Sequence, residues 1–235
     1  MKEYQGMCCD SNGCHMPTDN ANDKPVIKIK MFSDYMCAWC YLADAMLNSL
    51  KDRYDFEIEH IGFELHEGTP ENGEDMNKNH PGTPQTIAYI NQQGEKYGLH
   101  LCELPILANT KKALIVGEYA KEQGKGKEYV HDMWKAYMVE GKNISLISEI
   151  ENAAQTVGIS VQEVKNALED TKYAKMLQDN MKSGWSYELN SVPTFIINDE
   201  YKVTGAQQPE VFAGIFDEIL AKNSKHTLGE KSHET

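Results

Sequence analysis

Along the first third of the chain the hydrophobic repeat changes length twice. Val26-Ile27-Lys28-Ile29-Lys30-Met31-Phe32 alternates apolar with polar side chains, the two-residue repeat of a half-buried strand. From Ala38 to about Lys51 the repeat lengthens. Trp39, Leu42, Met46, Leu47 and Leu50 fall at helical spacing, which predicts a helix with one buried face. Phe56, Ile58, Ile61, Phe63 and Leu65 mark a second strand. Its apolar phase slips by one residue near His60, predicting either a bulge or burial on both faces. Strand, helix and strand in this order make a βαβ unit with a right-handed crossover.

The texture then changes. Glu64, Glu67, Glu71, Glu74 and Asp75, with Pro70 and no Lys or Arg among them, read as an acidic loop. From there to about Tyr187 the pattern predicts helices over 84–97, 109–123, 126–140, 145–157, 161–168 and 171–185, with no strand among them. Ser145 and Ser160 are expected amino-terminal caps, with Glu149 and Glu163 nearby. After this block Thr194-Phe195-Ile196-Ile197 returns as a strand. Asn198-Asp199 is a turn, and Tyr201-Lys202-Val203 is the partner strand of a hairpin. Pro209 opens a last helix, where its missing N–H costs nothing. Val211, Phe212, Ile215, Phe216, Ile219 and Leu220 supply its buried face.

The expected class is therefore α/β, with an all-helical domain inserted into an α/β domain. The boundaries are a tail over 1–24, a first α/β part over 25–65, an insert with its connecting loop over 66–187, a second part over 188–222, and a frayed end over 223–235.

Composition narrows the function. With 235 residues, 40% of them apolar, the chain can bury a core without staples. Its 23 basic against 36 acidic residues leave a net charge of −13, so neither nucleic acid nor an anionic membrane surface is an expected partner. No apolar run approaches the roughly 20 residues of a membrane span. The first residues lack the charged-then-apolar build of a secretory signal, so the expected location is the cytoplasm. Six cysteines are too few for a disulfide scaffold, and their clustering points to redox or metal chemistry.

The central cluster is Cys37-Ala38-Trp39-Cys40, placed where the first strand gives way to the first helix. Helix N-termini favour anions, so a thiol there loses its proton more readily, and thiolate is the form that attacks a disulfide. Cys37 is the expected nucleophile and Cys40 the resolving thiol. A structural zinc site would need four ligands and usually a second such pair, which the chain lacks. Ser191-Val192-Pro193-Thr194-Phe195 puts a proline directly before a strand. A cis bond there would leave the backbone of Val192 free to pair with an extended substrate; a trans proline would merely begin an edge strand.

These segments, with Gly205-Ala206-Gln207-Gln208-Pro209 and the helical insert, resemble the DsbA family of thioredoxin-fold oxidoreductases over roughly residues 25–222. Phe63-Glu64-Leu65 before an acidic Pro/Gly loop ending at Gly73 is most similar to its FrnE-like branch. The resemblance implies a thioredoxin-like fold with an inserted all-helical domain, a cis Pro193 facing the redox pair, and exchange with disulfide- or dithiol-containing proteins or small thiols. It implies no cofactor, but an electron donor or acceptor. The inner dipeptide departs from the family: Ala38-Trp39 stands where the branch more often has Pro-Trp and periplasmic oxidants have Pro-His, which predicts a weaker oxidant than the periplasmic members. A related glutathione-dependent isomerase and kappa-class transferase branch uses a single Ser or Cys, and retention of both Cys37 and Cys40 argues against it.

Met36 and Trp39 are candidates for an apolar lip that meets substrate. Cys8, Cys9 and Cys14, followed by His15, could wrap a soft ion or exchange electrons with the active pair, although no secondary structure is expected there. A rival class is a binding protein, sequestering metal or metalloid on these thiols or holding unfolded chains on the insert. Cys102, between apolar neighbours, reads as a small buried hydrophobe, and His60 and His66 read as satisfied structural histidines.

Overall fold

The computed structural model describes residues 8–10, 13–15 and 26–230. Strands β1 (Cys8–Asp10) and β2 (Gly13–His15) pair antiparallel with Cys9 opposite Cys14. That short hairpin departs from the expected tail without secondary structure. The thiols of Cys8, Cys9 and Cys14, the tail's ligand candidates, lie outside what the structure describes.

The central sheet is built as the periodicity predicts. Strand β3 (Ile27–Ser33) leads into α1 (Ala38–Asn48) and returns through β4 (Phe56–Gly62). β3 and β4 are parallel in unbroken register, from Ile27 opposite Phe56 to Ser33 opposite Gly62. There is accordingly no bulge at His60. The slipped phase reflects the other alternative, because successive residues His60 and Ile61 are both buried. β7 (Thr194–Ile197) adds antiparallel to β3, and β8 (Tyr201–Thr204) adds to β7, giving the order β4-β3-β7-β8. Every residue of β7 is buried, as suits a strand covered on both faces. This mixed sheet and its helices form the thioredoxin-like fold implied by the resemblance.

Between β4 and β7 the chain forms β5 (Glu74–Asp75), α2 (Met76–Asn79), α3 (Thr83–Gly94), β6 (Ile106–Leu107), α4 (Lys111–Glu122), α5 (Gly126–Trp134), α6 (Ile147–Thr156), α7 (Val161–Glu169) and α8 (Thr171–Ser186). Apart from the four-residue α2, which has no predicted counterpart, the helices follow the predicted ones closely. The pairing of β5 with β6 does not: two residues per strand leave no alternation to read. α5 runs on as a π-helical turn over Lys135–Val139. Ser160 caps α7 in a reciprocal capping box with Glu163. Ser145 caps nothing; its Oγ accepts the N–H of Asn109 at 2.8 Å, and Leu146 occupies the cap position of α6. A tertiary partner has taken the hydroxyl that a local reading assigns to the helix end.

The last helix, α9 (Pro209–Glu230), extends past the expected end at 222. Phe212 and Phe216 are fully buried. The Phe212 ring meets Phe195 of β7 at 4.9 Å, and Phe216 meets Phe56 of β4 at 5.4 Å. On the insert side, α4 and α8 both pack on β4. The insert thus rests on the edge strand of the sheet, beside the loop that carries the cysteines.

Candidate active site

β3 ends at Ser33, and the short loop from Asp34 delivers Cys37 to the cap position of α1 in an extended conformation, φ −85° and ψ 102°. The Cys37 Sγ accepts the backbone N–H of Cys40 at 3.3 Å, as a capping oxygen would. The same Sγ lies 3.7 Å from the carbonyl oxygen of Val192. The Val192–Pro193 bond is cis, and the Pro193 carbonyl accepts the N–H of Gly205 at 2.8 Å. Two segments far apart in sequence therefore meet at one sulfur.

Both thiols are free, but they are not equivalent. Cys37 keeps 6% of its surface exposed and Cys40 none. An incoming molecule meets Cys37 first. Burial pushes the Cys40 thiol well above its ordinary pKa, and the adjoining Cys37 pushes it further.

Asp34 is fully buried beneath this loop. Its Oδ2 accepts the N–H of Leu65 at 2.8 Å and its Oδ1 that of Met36 at 3.4 Å. Burial raises its carboxyl pKa, with these backbone donors opposing the rise. The Asp34 carbonyl takes a hydrogen bond from the Trp134 indole at 3.3 Å, which ties the cysteine loop to the insert. Of the other residues singled out, Met36 and Val192 are almost buried, while Trp39 is 38% exposed and its ring lies 5.8 Å from that of Tyr89 on α3. Cys102 is only partly buried, its Sγ 3.2 Å from the Glu103 carbonyl, rather than a core hydrophobe.

A second constellation escaped the sequence reading. Asp44 on α1, His60 on β4 and His131 on α5 come together, with His60 Nε2 3.5 Å from Asp44 Oδ1 and His131 Nε2 3.3 Å from Asp44 Oδ2. His60 was expected to be satisfied, yet its Nδ1 has no partner. Burial pushes its pKa down to about 4, with Asp44 opposing and His131 reinforcing. Burial works against ionising Asp44, but His131 and His60 beside it hold its carboxyl below the usual range. One signal was present in the sequence: a carboxylate placed between Leu42, Ala43, Met46 and Leu47 on the buried face of a helix.

A family model described as the DSBA-like thioredoxin domain matches residues 28–217, most of the chain. The uncharacterized protein YwbO of Bacillus subtilis is 29% identical over 192 residues, which cover 79% of this chain and 94% of that one. Among solved structures, a probable DsbA oxidoreductase, SCO1869, from Streptomyces coelicolor superimposes with a TM-score of 0.75 at 21% identity, over 82% of this chain and 89% of its own. A 2-hydroxychromene-2-carboxylate isomerase follows at 0.71 and 16%, over 84% and 98%. At such identities the likeness is one of fold, and the fold serves both an oxidoreductase and an isomerase.

Proposed function

The chain belongs to the DSBA-like thioredoxin family, and from that premise we propose that it is a thiol–disulfide oxidoreductase working through Cys37 and Cys40. The observation that carries this reading is the setting of the Cys37 sulfur. It stands at the head of α1, bonded to the Cys40 N–H and 3.7 Å from the Val192 carbonyl, with the second thiol buried behind it.

The chemistry follows from those positions. Cys37 thiolate attacks one sulfur of a substrate disulfide; a Cys37–substrate disulfide forms and the first substrate thiolate leaves. Cys40 gives up its proton and attacks the Cys37 sulfur, releasing the second substrate thiolate and closing the Cys37–Cys40 disulfide. The substrate gains two electrons and the protein loses two. An external thiol donor restores the dithiol, and the reverse sequence oxidises a substrate dithiol. Val192 and Pro193 supply the backbone against which an extended substrate lies, and Met36 and Trp39 its apolar border. Phe63-Glu64-Leu65 and the acidic loop after it favour the FrnE-like branch. The absence of histidine between the cysteines supports a weaker oxidant than the periplasmic members, and we place the protein in the reducing cytoplasm.

Insulin reduction with a thioredoxin-type donor tests the reading. Cys37→Ser is expected to fall to the uncatalysed rate, and Cys40→Ser to accumulate a mixed disulfide visible by mass. Glutathione conjugation or isomerisation that survives Cys40→Ser, without disulfide turnover in the parent protein, would replace the oxidoreductase reading with the isomerase one.

A further inference from the structure

We propose that Asp44, His60 and His131 form a binding site for a divalent transition-metal ion of the zinc class, separate from the redox pair.

The three residues come from three elements, α1, β4 and α5, so the tertiary fold alone assembles them. One ligand atom from each lies within 4.8 Å of those from the other two. The two imidazole–carboxylate distances, 3.3 Å from His131 to Asp44 Oδ2 and 3.5 Å from His60 to Asp44 Oδ1, run to different carboxylate oxygens, and each is close to the spacing about a tetrahedral ion, whose bonds of about 2.0–2.1 Å put neighbouring ligands about 3.3 Å apart. Two imidazoles with one carboxylate suit zinc, cobalt or nickel rather than calcium or magnesium, which take oxygen ligands, or copper(I), which takes sulfur.

The state of the polar atoms supports the assignment. Asp44 Oδ1, His60 Nδ1 and His131 Nε2 are buried without a hydrogen-bond partner. Buried polar atoms are rarely left so, because each unsatisfied group costs roughly 1–3 kcal/mol. A cation held between the Asp44 carboxylate and the two Nε2 atoms takes up Asp44 Oδ1 and His131 Nε2, while His60 Nδ1, on the far side of its ring, lies outside that coordination. The site is also held in place. The Trp134 ring lies 5.4 Å from His60 and 5.8 Å from His131, an apolar wall that limits reorientation of both imidazoles.

Asp44 and His60 line a cleft of about 970 Å³ that Lys51, Lys121 and Lys127 also border; His131 lines a neighbouring cleft, and its side chain is 42% exposed. Lys121 is committed to Glu118 at 2.8 Å. The positive charge of Lys51 and Lys127 disfavours a bare dication and favours an anion, hydroxide or carboxylate, in the remaining coordination position.

Cobalt(II) titration of tag-free, chelator-treated full-length protein tests the site. The expected result is one Co(II) per chain with visible bands of nitrogen–oxygen type, displaced by one equivalent of Zn(II). Binding should be unchanged when Cys8, Cys9, Cys14, Cys37 and Cys40 are all serine, and weakened on the order of 100-fold in His131→Ala. Because His131 is partly exposed, that variant is expected to keep its circular dichroism spectrum. No one-to-one binding in the protein with those five cysteines replaced, or unchanged affinity in folded His131→Ala, would each overturn the proposal. None of these readouts depends on disulfide turnover.

Discussion

The phenol oxygen of Tyr35 sits against Gly117 so closely that a Cβ added to the glycine would fall inside the 3.0 Å that real Cβ atoms essentially never breach. Tyr35 lies two residues before Cys37 and is 4% exposed, its ring edge-on to Tyr129 at 6.0 Å. Helix α4 of the insert therefore seats directly on the cysteine loop through the space of one missing methyl.

Gly117→Ala sets two effects against each other. Alanine in a helix interior gains up to about 1 kcal/mol over glycine, while overpacking a buried contact costs about 1–3 kcal/mol. Tyr35 is enclosed, so the second is expected to win, lowering stability by about 1–2 kcal/mol in urea melts and slowing disulfide exchange. Adding Tyr35→Phe removes the clashing oxygen and should restore most of the loss. A Gly117→Ala protein as stable as the parent would mean that the contact positions nothing.

The resolving step should carry the pH dependence. The buried Cys40 thiol has its pKa raised well above the ordinary value, chiefly by burial and then by Cys37. Attack requires its thiolate, and below a pKa the thiolate fraction grows about tenfold per pH unit. Stopped-flow release of a preformed Cys37 mixed disulfide should therefore accelerate steadily from about pH 7 to 9. A flat profile across that span would mean that the Cys40 thiol is not raised in the mixed disulfide or is not the attacking group.

Phe212→Ala probes the joint between the last helix and the sheet. Phe212 is fully buried and meets the Phe195 ring at 4.9 Å and 80°. Removing such a ring costs about 3–5 kcal/mol, enough to consume much of a domain's stability. A loss below about 1 kcal/mol in denaturant melts would contradict this packing.

At Ser160 the cap can be read by titration. The Ser160 side chain and backbone donate to Glu163, and Tyr119 adds a third hydrogen bond, which together bring its carboxyl to about 2 from the ordinary 4.5. A carboxyl depressed in the folded state stabilises the fold above its unfolded value, and that contribution is lost as pH falls toward the folded one. NMR titration should place the Glu163 midpoint near 2 in the parent and move it upward in Ser160→Ala. No movement would mean that the capping box does not hold the carboxylate.

Much of this protein is written in short-range patterns. The two-residue repeat of 26–32, the helical repeat after Ala38 and the cap at Ser160 are each set by a residue and its near neighbours, so each can be read without a partner segment. The placement of Cys37 at a helix head is of the same kind. Ser145 marks the limit, since its hydroxyl went to Asn109, a residue 36 positions away. The approach of the Val192 carbonyl to Cys37 spans 155 positions, and the gathering of Asp44, His60 and His131 needs α1, β4 and α5 docked together. Periodicity reports which side of an element is buried, not what lies opposite. Which groups end up facing one another, and which polar atoms lose water without replacement, is decided when the sheet and the insert close on each other.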